Sequence, residues 1–168
     1  MAAAALGARL GTTETGDAMT TLKTHRFSVD VRWTGDRRTQ VSAAGKPKLT
    51  VATPPEFRGG AEGVWSPEDL FVAAVASCYV LTLTAIAERR SLPLRALEVR
   101  SAGYVTQRPD RRLGFIAVDL EVSLQTHPGW ETMARGVAQD AEQACLVTAS
   151  LDTPLRIAVD VTATPAAA

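Results

Sequence analysis

Apolar and polar residues alternate strictly in the stretch FSVDVRW, with Phe27, Val29, Val31 and Trp33 on one side and Ser28, Asp30 and Arg32 on the other. That period of two predicts a half-buried strand over residues 27–33. TGDRR turns the chain, and RTQVSA and KLTVAT predict two more short strands over 38–43 and 48–53, punctuated by Gly45 and Pro47. The Pro- and Gly-rich PPEFRGGAEGVW is a loop long enough to wall a site. Ser66 then offers an N-cap, Pro67 a first helical residue, and Glu68 and Asp69 acids at the positive end of the helix dipole. From Leu70 the run is apolar nearly all round, which predicts a helix covered by protein on most sides and ended by Arg89, Arg90 and Pro93.

The second half repeats the strand period in ALEVRSAGYV and in FIAVDLEVSLQT, where Ile116, Val118, Leu120, Val122 and Leu124 form one face, with RPDRRLG as the hairpin between them. A second helix is predicted from about Trp130, with Trp130, Met133, Ala134, Val137, Ala141, Ala144, Cys145 and Thr148 on one stripe, so that Cys145 faces inward. LRIAVDV closes the series with Leu155, Ile157, Val159 and Val161 on one side. The order β-β-β-α-β-β-α-β predicts an α+β domain in which antiparallel sheet packs against two long helices. Residues 22–163 form that single domain, residues 1–21 a flexible N-terminal extension, and residues 164–168 a frayed C-terminus.

Composition narrows the function classes. Lys+Arg and Asp+Glu stand at 18 each, so no net field draws the chain to nucleic acid or to an anionic membrane. Aromatic residues make up 5%, with no basic stripe among them to hold stacked bases. The uncharged run over 70–87 approaches membrane-span length, yet Ser77, Thr82 and Thr84 interrupt it and the strands need a covering element, so it reads as a core helix. Two cysteines and no evident secretory signal point to a reducing cytoplasm. The expected partners include neither nucleic acid nor membrane.

Histidines His25 and His127 stand at no short ligand spacing from each other or from a cysteine, so no metal site is expected. Thiol chemistry remains. Cys78 is either a small apolar core residue or a nucleophile, and the second role requires a cation, since apolar burial raises a thiol pKa and only the thiolate attacks. Arg37, Arg38 and Arg58 are the candidate cations, although each alone reads as a solvated charge. Cys145 is either core packing or a resolving thiol, and the helix N-terminus alone accounts for Glu68.

SPEDLFVAAVASC resembles the NPE-x-L…A-A-x-x-A-C motif of the osmotically induced protein C and organic hydroperoxide resistance (OsmC/Ohr) family. AEQACLVTASL is similar to that family's second-cysteine segment, and TPPEFRGG to a TP-x-E-x-GG stretch of the Ohr branch. The resemblance runs over residues 27–161 and implies an OsmC-like fold in an intertwined homodimer. It also implies reduction of organic hydroperoxides with Cys78 as peroxidatic thiol, Cys145 as resolving thiol, and a Cys78–Cys145 disulfide restored by an external dithiol such as a lipoyl group, with no bound cofactor. Glu68 matches the family glutamate, and the arginine that serves the thiolate is Arg38, with Arg37 as its alternative. The chain departs from the pattern in CLVT for CPVS, in Ser for Asn at the cap, and in a shortened arginine turn. A non-enzymatic redox sensor or small-ligand binding protein on the same fold is the other reading. Because Glu68 and Cys78 lie ten residues apart on one helix, about 15 Å along its axis, a second subunit is expected to complete the site.

Overall fold

The strand patterns become two separate three-stranded sheets in the computed structural model, which describes residues 23–165. The expected extension over 1–21 and the last three residues of the expected frayed end lie outside the described residues. Strands β1 (Asp30–Gly35), β2 (Arg38–Ser42) and β3 (Leu49–Ala52) form an antiparallel meander. Its first turn passes through Gly35 and Asp36, both at positive φ. Helix α1 (Pro67–Arg89) follows, then β4 (Leu94–Gln107), β5 (Leu113–Thr126), helix α2 (Glu131–Ala144), a 3-10 turn (Thr148–Ser150) and β6 (Leu155–Ala163). The element order is the expected one, and the architecture is α+β.

One pairing differs from the antiparallel expectation. β4 and β5 are antiparallel, but β6 runs parallel to β5, from Val118 beside Leu155 to Thr126 beside Ala163. Parallel neighbours need a crossover, and α2 is that crossover, packed on the sheet's inner face. The sequence pattern showed which faces are apolar but carried no sign of strand direction.

The start of α1 follows the cap chemistry closely. Asp69 N–H donates to Ser66 Oγ at 3.0 Å while Ser66 N–H donates to Asp69 Oδ2 at 2.8 Å, a reciprocal capping box. The inner face of α1 buries Val75, Tyr79, Leu83, Ile86 and Ala87 against α2 and the β4–β5–β6 sheet. There Leu120 and Leu124 are fully buried, each contributing about 2 kcal/mol relative to exposure. Arg90 and Asp140 pair across the two helices.

The expectation that α1 would be covered on most sides does not hold within one chain. Ala74, Ser77, Leu81 and Ala85 recur at helical spacing and form an exposed stripe, with Leu81 69% exposed. The predicted apolar face of the first strand is likewise open, with Phe27 at 89% and Trp33 at 71% exposure, and the strand itself starts only at Asp30. The period of two marks a strand here, but period alone says neither where it starts nor which molecule covers the face. The predicted β5 face also shifts, because the register slips between Tyr104 and Val105. Phe115 therefore lies opposite Val105 and turns inward, whereas Ile116 is 47% exposed.

Two expected results follow from this packing. Tyr79 donates its hydroxyl to Ala138 O at 3.0 Å across the α1–α2 contact, and burial, then the charges of Glu142 and Cys145, push its pKa up to about 12. The neutral phenol is favoured in the folded chain, so stability is full below pH 10 and is lost as pH rises from 10 through 12. Tyr79→Phe should remove that alkaline loss and cost about 1 kcal/mol at neutral pH, read by urea titration at several pH values. Gly60 is packed so closely that a Cβ would overlap the Pro54 carbonyl oxygen. Because that neighbour is backbone, Gly60→Ala should cost about 3 kcal/mol and lower the melting temperature correspondingly.

Candidate functional site

The fold brings the two cysteines together. Cys78 sits on α1 at the border between core and open stripe, four residues after Ala74 and three before Leu81, and is half-buried. Cys145 is the residue that ends α2, with extended backbone (φ −70°, ψ 115°), and is fully buried. It therefore faces inward as expected, but just beyond the helix rather than on its stripe, of which Met133 and Ala144 are exposed. The helix stops here and the chain folds back into the 3-10 turn, with Ala149 N–H donating to Cys145 O at 3.0 Å and Thr148 Oγ1 donating to the same oxygen at 3.0 Å. Cys78 packs against the buried cluster that contains Cys145, near enough for its thiol to influence the Cys145 sulfur.

The electrostatics around Cys145 come from hydrogen bonds rather than from a cation. Burial, the largest influence, raises its pKa, but the Thr148 N–H, the Thr148 hydroxyl, the Cys78 thiol and the Val147 N–H act together to bring it below the usual thiol value. Backbone N–H groups at the start of a turn solvate the sulfur anion as water otherwise would. Thr148 stands where the family pattern has Ser, so this departure retains a hydroxyl. Leu146, in place of the family's Pro, is 70% exposed and takes no part in the thiol packing.

Glu68 and the arginines lie elsewhere. Glu68, in the first turn of α1, opens on a cavity of about 490 Å³ walled by Trp65, Val72, Ser101, Gly103 and Phe115. Arg37 and Arg38 are exposed and line a second cavity, of about 550 Å³, with Asp36, Gly59, Gly60 and Ala61. Arg37 lies over Gly59, whose missing side chain makes room for it, and its carbonyl accepts from Thr53 N–H at 3.1 Å. Among the described residues no hydrogen bond or ion pair joins either arginine to Cys78, and neither makes an ion pair at all. Among the described residues, neither expected arginine reaches the thiol of its own chain. Arg58, the third candidate, is exposed in the loop.

The Arg37/Arg38 and Glu68 cavities are nonetheless neighbours. A third cavity along the loop shares Ala61 with the arginine cavity and Trp65 and Asp69 with the glutamate cavity. The end of loop 54–65 is tied to β3 by Ala52 N–H donating to Trp65 O at 2.9 Å, and neither cysteine lines any of these three cavities. Among the described residues no three His, Cys, Asp or Glu side chains cluster to hold a metal.

Several residues of this region were not singled out from the sequence. Phe71 of α1 stacks on Phe115 with ring centroids 4.4 Å apart, closing one end of the glutamate cavity. Gly103 permits that closure, since a Cβ there would lie 2.5 Å from Phe115 and 2.6 Å from Val72. Ser101 was visible as the polar member of the inward series Leu97, Val99, Ser101 and Gly103 on β4. Phe115 was hidden by the register slip.

Comparison with known proteins agrees with this architecture. Residues 59–160 match the family described as OsmC-like protein. The uncharacterized protein YmaD of Bacillus subtilis is 32% identical over 82 residues, 48% of this chain and 54% of YmaD, so the chain spans about half the length of the curated relative it matches. An OsmC-like protein of unknown function from Vibrio cholerae superposes with a TM-score of 0.73 at 17% identity, over 82% of this chain and 100% of that one. An organic hydroperoxide resistance protein from Elizabethkingia anophelis gives 0.67 at 19% identity, over 84% and 100%. A further one, from Legionella pneumophila, gives 0.65 at 21% identity, over 83% and 99%. At these identities the solved structures establish the fold, and with the matched family segment, which carries Glu68, Cys78 and Cys145, they place the chain in the OsmC-like protein family.

Proposed function

We propose that this OsmC-family protein is a thiol peroxidase that reduces organic hydroperoxides to alcohols. The observation that carries the reading is that Cys78, at the border of an open helix face, packs against the cluster that holds Cys145, one thiol half-accessible and the other buried. The Cys78 thiolate attacks one peroxide oxygen, the O–O bond breaks, and the alkoxide leaves and takes up a proton as alcohol, leaving Cys78 as sulfenic acid. Cys145 attacks that sulfur, water departs and a disulfide forms. An external dithiol, such as a dihydrolipoyl group, returns both thiols by exchange and is itself oxidised to a disulfide. The hydrogen bonds that favour a Cys145 anion suit it both to attack the sulfenic acid and to leave when the disulfide is reduced.

In this reading the cation comes from a second copy of the chain. Arg38, with Arg37 as the alternative, and Glu68 of one protomer would face Cys78 of the other when the open faces of α1 and β1 cover each other in a homodimer. A reducing cytoplasm, where a dithiol donor is present, is the proposed compartment. The direct test is stoichiometric treatment with cumene hydroperoxide followed by intact-mass and peptide mapping. The expected product is a Cys78–Cys145 disulfide with no free thiol. Retention of both thiols through repeated additions would remove the peroxidase reading and leave the binding-protein reading, which the apolar-walled glutamate cavity favours.

A further inference from the structure

Two oxygen atoms in the glutamate cavity are buried and unpartnered: Glu68 Oε2 and Ser101 Oγ. A buried polar atom without a partner is costly, and a buried carboxylate oxygen more so, so native chains rarely leave two on one cavity wall. Among the described residues no basic side chain lines this cavity, whereas it holds two acids, of which Asp69 is already committed to the helix cap. Its remaining walls are largely apolar, and the indole of Trp65 is half exposed at its edge. The missing group is therefore a planar or compact cation with at least two N–H donors and a face that tolerates aromatic contact, which describes a guanidinium. Guanidiniums with no ion pair among the described residues stand one cavity away along the same loop, on Arg37 and Arg38.

We propose that Ser101 is a positioning residue of the centre described above, its hydroxyl and Glu68 Oε2 forming a two-acceptor seat for one guanidinium, that of Arg38. The inference rests on the proposed role of the arginine–glutamate pair and adds a member that the motif does not contain. Glu68 supplies the charge. Ser101 accepts a second N–H from the same guanidinium, so both unpartnered oxygens gain a donor at once. Ser101 does not touch the thiol; it acts by fixing the orientation of the cation that does.

The test follows the rate at which iodoacetamide alkylates Cys78, by peptide mass spectrometry, as a function of pH in the full-length wild type, Ser101→Ala, Ser101→Thr and Glu68→Gln. Loss of one hydrogen bond to the guanidinium should slow Cys78 alkylation at pH 7 about fivefold in Ser101→Ala and move the midpoint to higher pH, with a larger displacement in Glu68→Gln. Ser101→Thr retains the hydroxyl and should return the profile to that of wild type. A second arm uses Arg38→Ala with millimolar guanidinium chloride: the free ion should restore alkylation, and the Arg38→Ala, Ser101→Ala double variant should lose most of that rescue. If Ser101→Ala coincides with wild type while Glu68→Gln is displaced, the role of Ser101 is wrong and the centre stands. A failure of Ser101→Thr to restore the profile also overturns it, since packing would then explain the alanine variant. If Glu68→Gln and Arg38→Ala are both silent, the arginine–glutamate centre falls and the seat with it.

Discussion

Cys78→Ser is expected to abolish consumption of cumene hydroperoxide in the presence of dihydrolipoamide, with a fall in kcat/KM of about a thousandfold or more. The loss is that of the nucleophile itself, because a serine hydroxyl ionises far above neutral pH and forms no sulfenic acid. Cys145→Ser should behave differently. The first peroxide molecule is still reduced, a stable Cys78 sulfenic acid accumulates and is trapped by dimedone, and turnover with a dithiol slows without vanishing. The contrast separates attack from resolution, which a single variant would not. Equal turnover in wild type and Cys78→Ser would end the enzymatic assignment. Since Cys78 is only half-buried, the conservative change should leave the fold intact, and an unchanged melting curve provides the control.

The second large effect concerns the open apolar faces. Phe27, Val29, Val31 and Trp33 present one patch, and Leu81 with its small neighbours Ala74, Ser77 and Ala85 presents another. Chains that remain single seldom leave such area in water. Leu81→Asp should scarcely affect a single chain, because position 81 is already solvated there, but in the proposed dimer it buries a carboxylate with no partner, a penalty of several kcal/mol. The expected result is dissociation to a monomer by sedimentation at micromolar concentration, with peroxidase activity falling at least a hundredfold because Cys78 has lost the other protomer's arginine. A wild type that sediments as a monomer and turns over at full rate would rule out the shared site. A Leu81→Asp variant that stays dimeric would place the interface elsewhere.

Much of the fold was legible because local chemistry dictates it. The Ser66–Asp69 box, Pro67 and the uncharged run after them set the start of α1, and strand periods set which residues of β4, β5 and β6 look inward. Three things were not legible, each for a physical reason. The direction of β6 depends on the crossover and not on its own alternation. The inward turn of Phe115 depends on a register slip that the period cannot show. The exposure of Trp33 and Leu81 depends on which chain covers them, and apolar composition is the same in either case. The site followed the same division: the motif marked Cys78, Cys145 and Glu68, while the inward period of β4 could place Ser101 but only the structure shows its hydroxyl unsatisfied.

The crossover through α2 also sets when the thiol pair comes into being. Cys145 takes its place only after α2 has docked on α1 and the chain continues toward β6, contacts that join distant parts of the sequence and form slowly relative to local turns. During synthesis from the N-terminus, Cys78 emerges well before its partner. A peroxide met in that interval would oxidise a thiol with nothing to resolve it, and further oxidation to sulfinic acid would be irreversible. If the proposed peroxidase mechanism holds, nascent and newly released chains are the population most exposed to permanent inactivation, and the docking of α2 marks the moment at which such an enzyme becomes able to recover from its own chemistry.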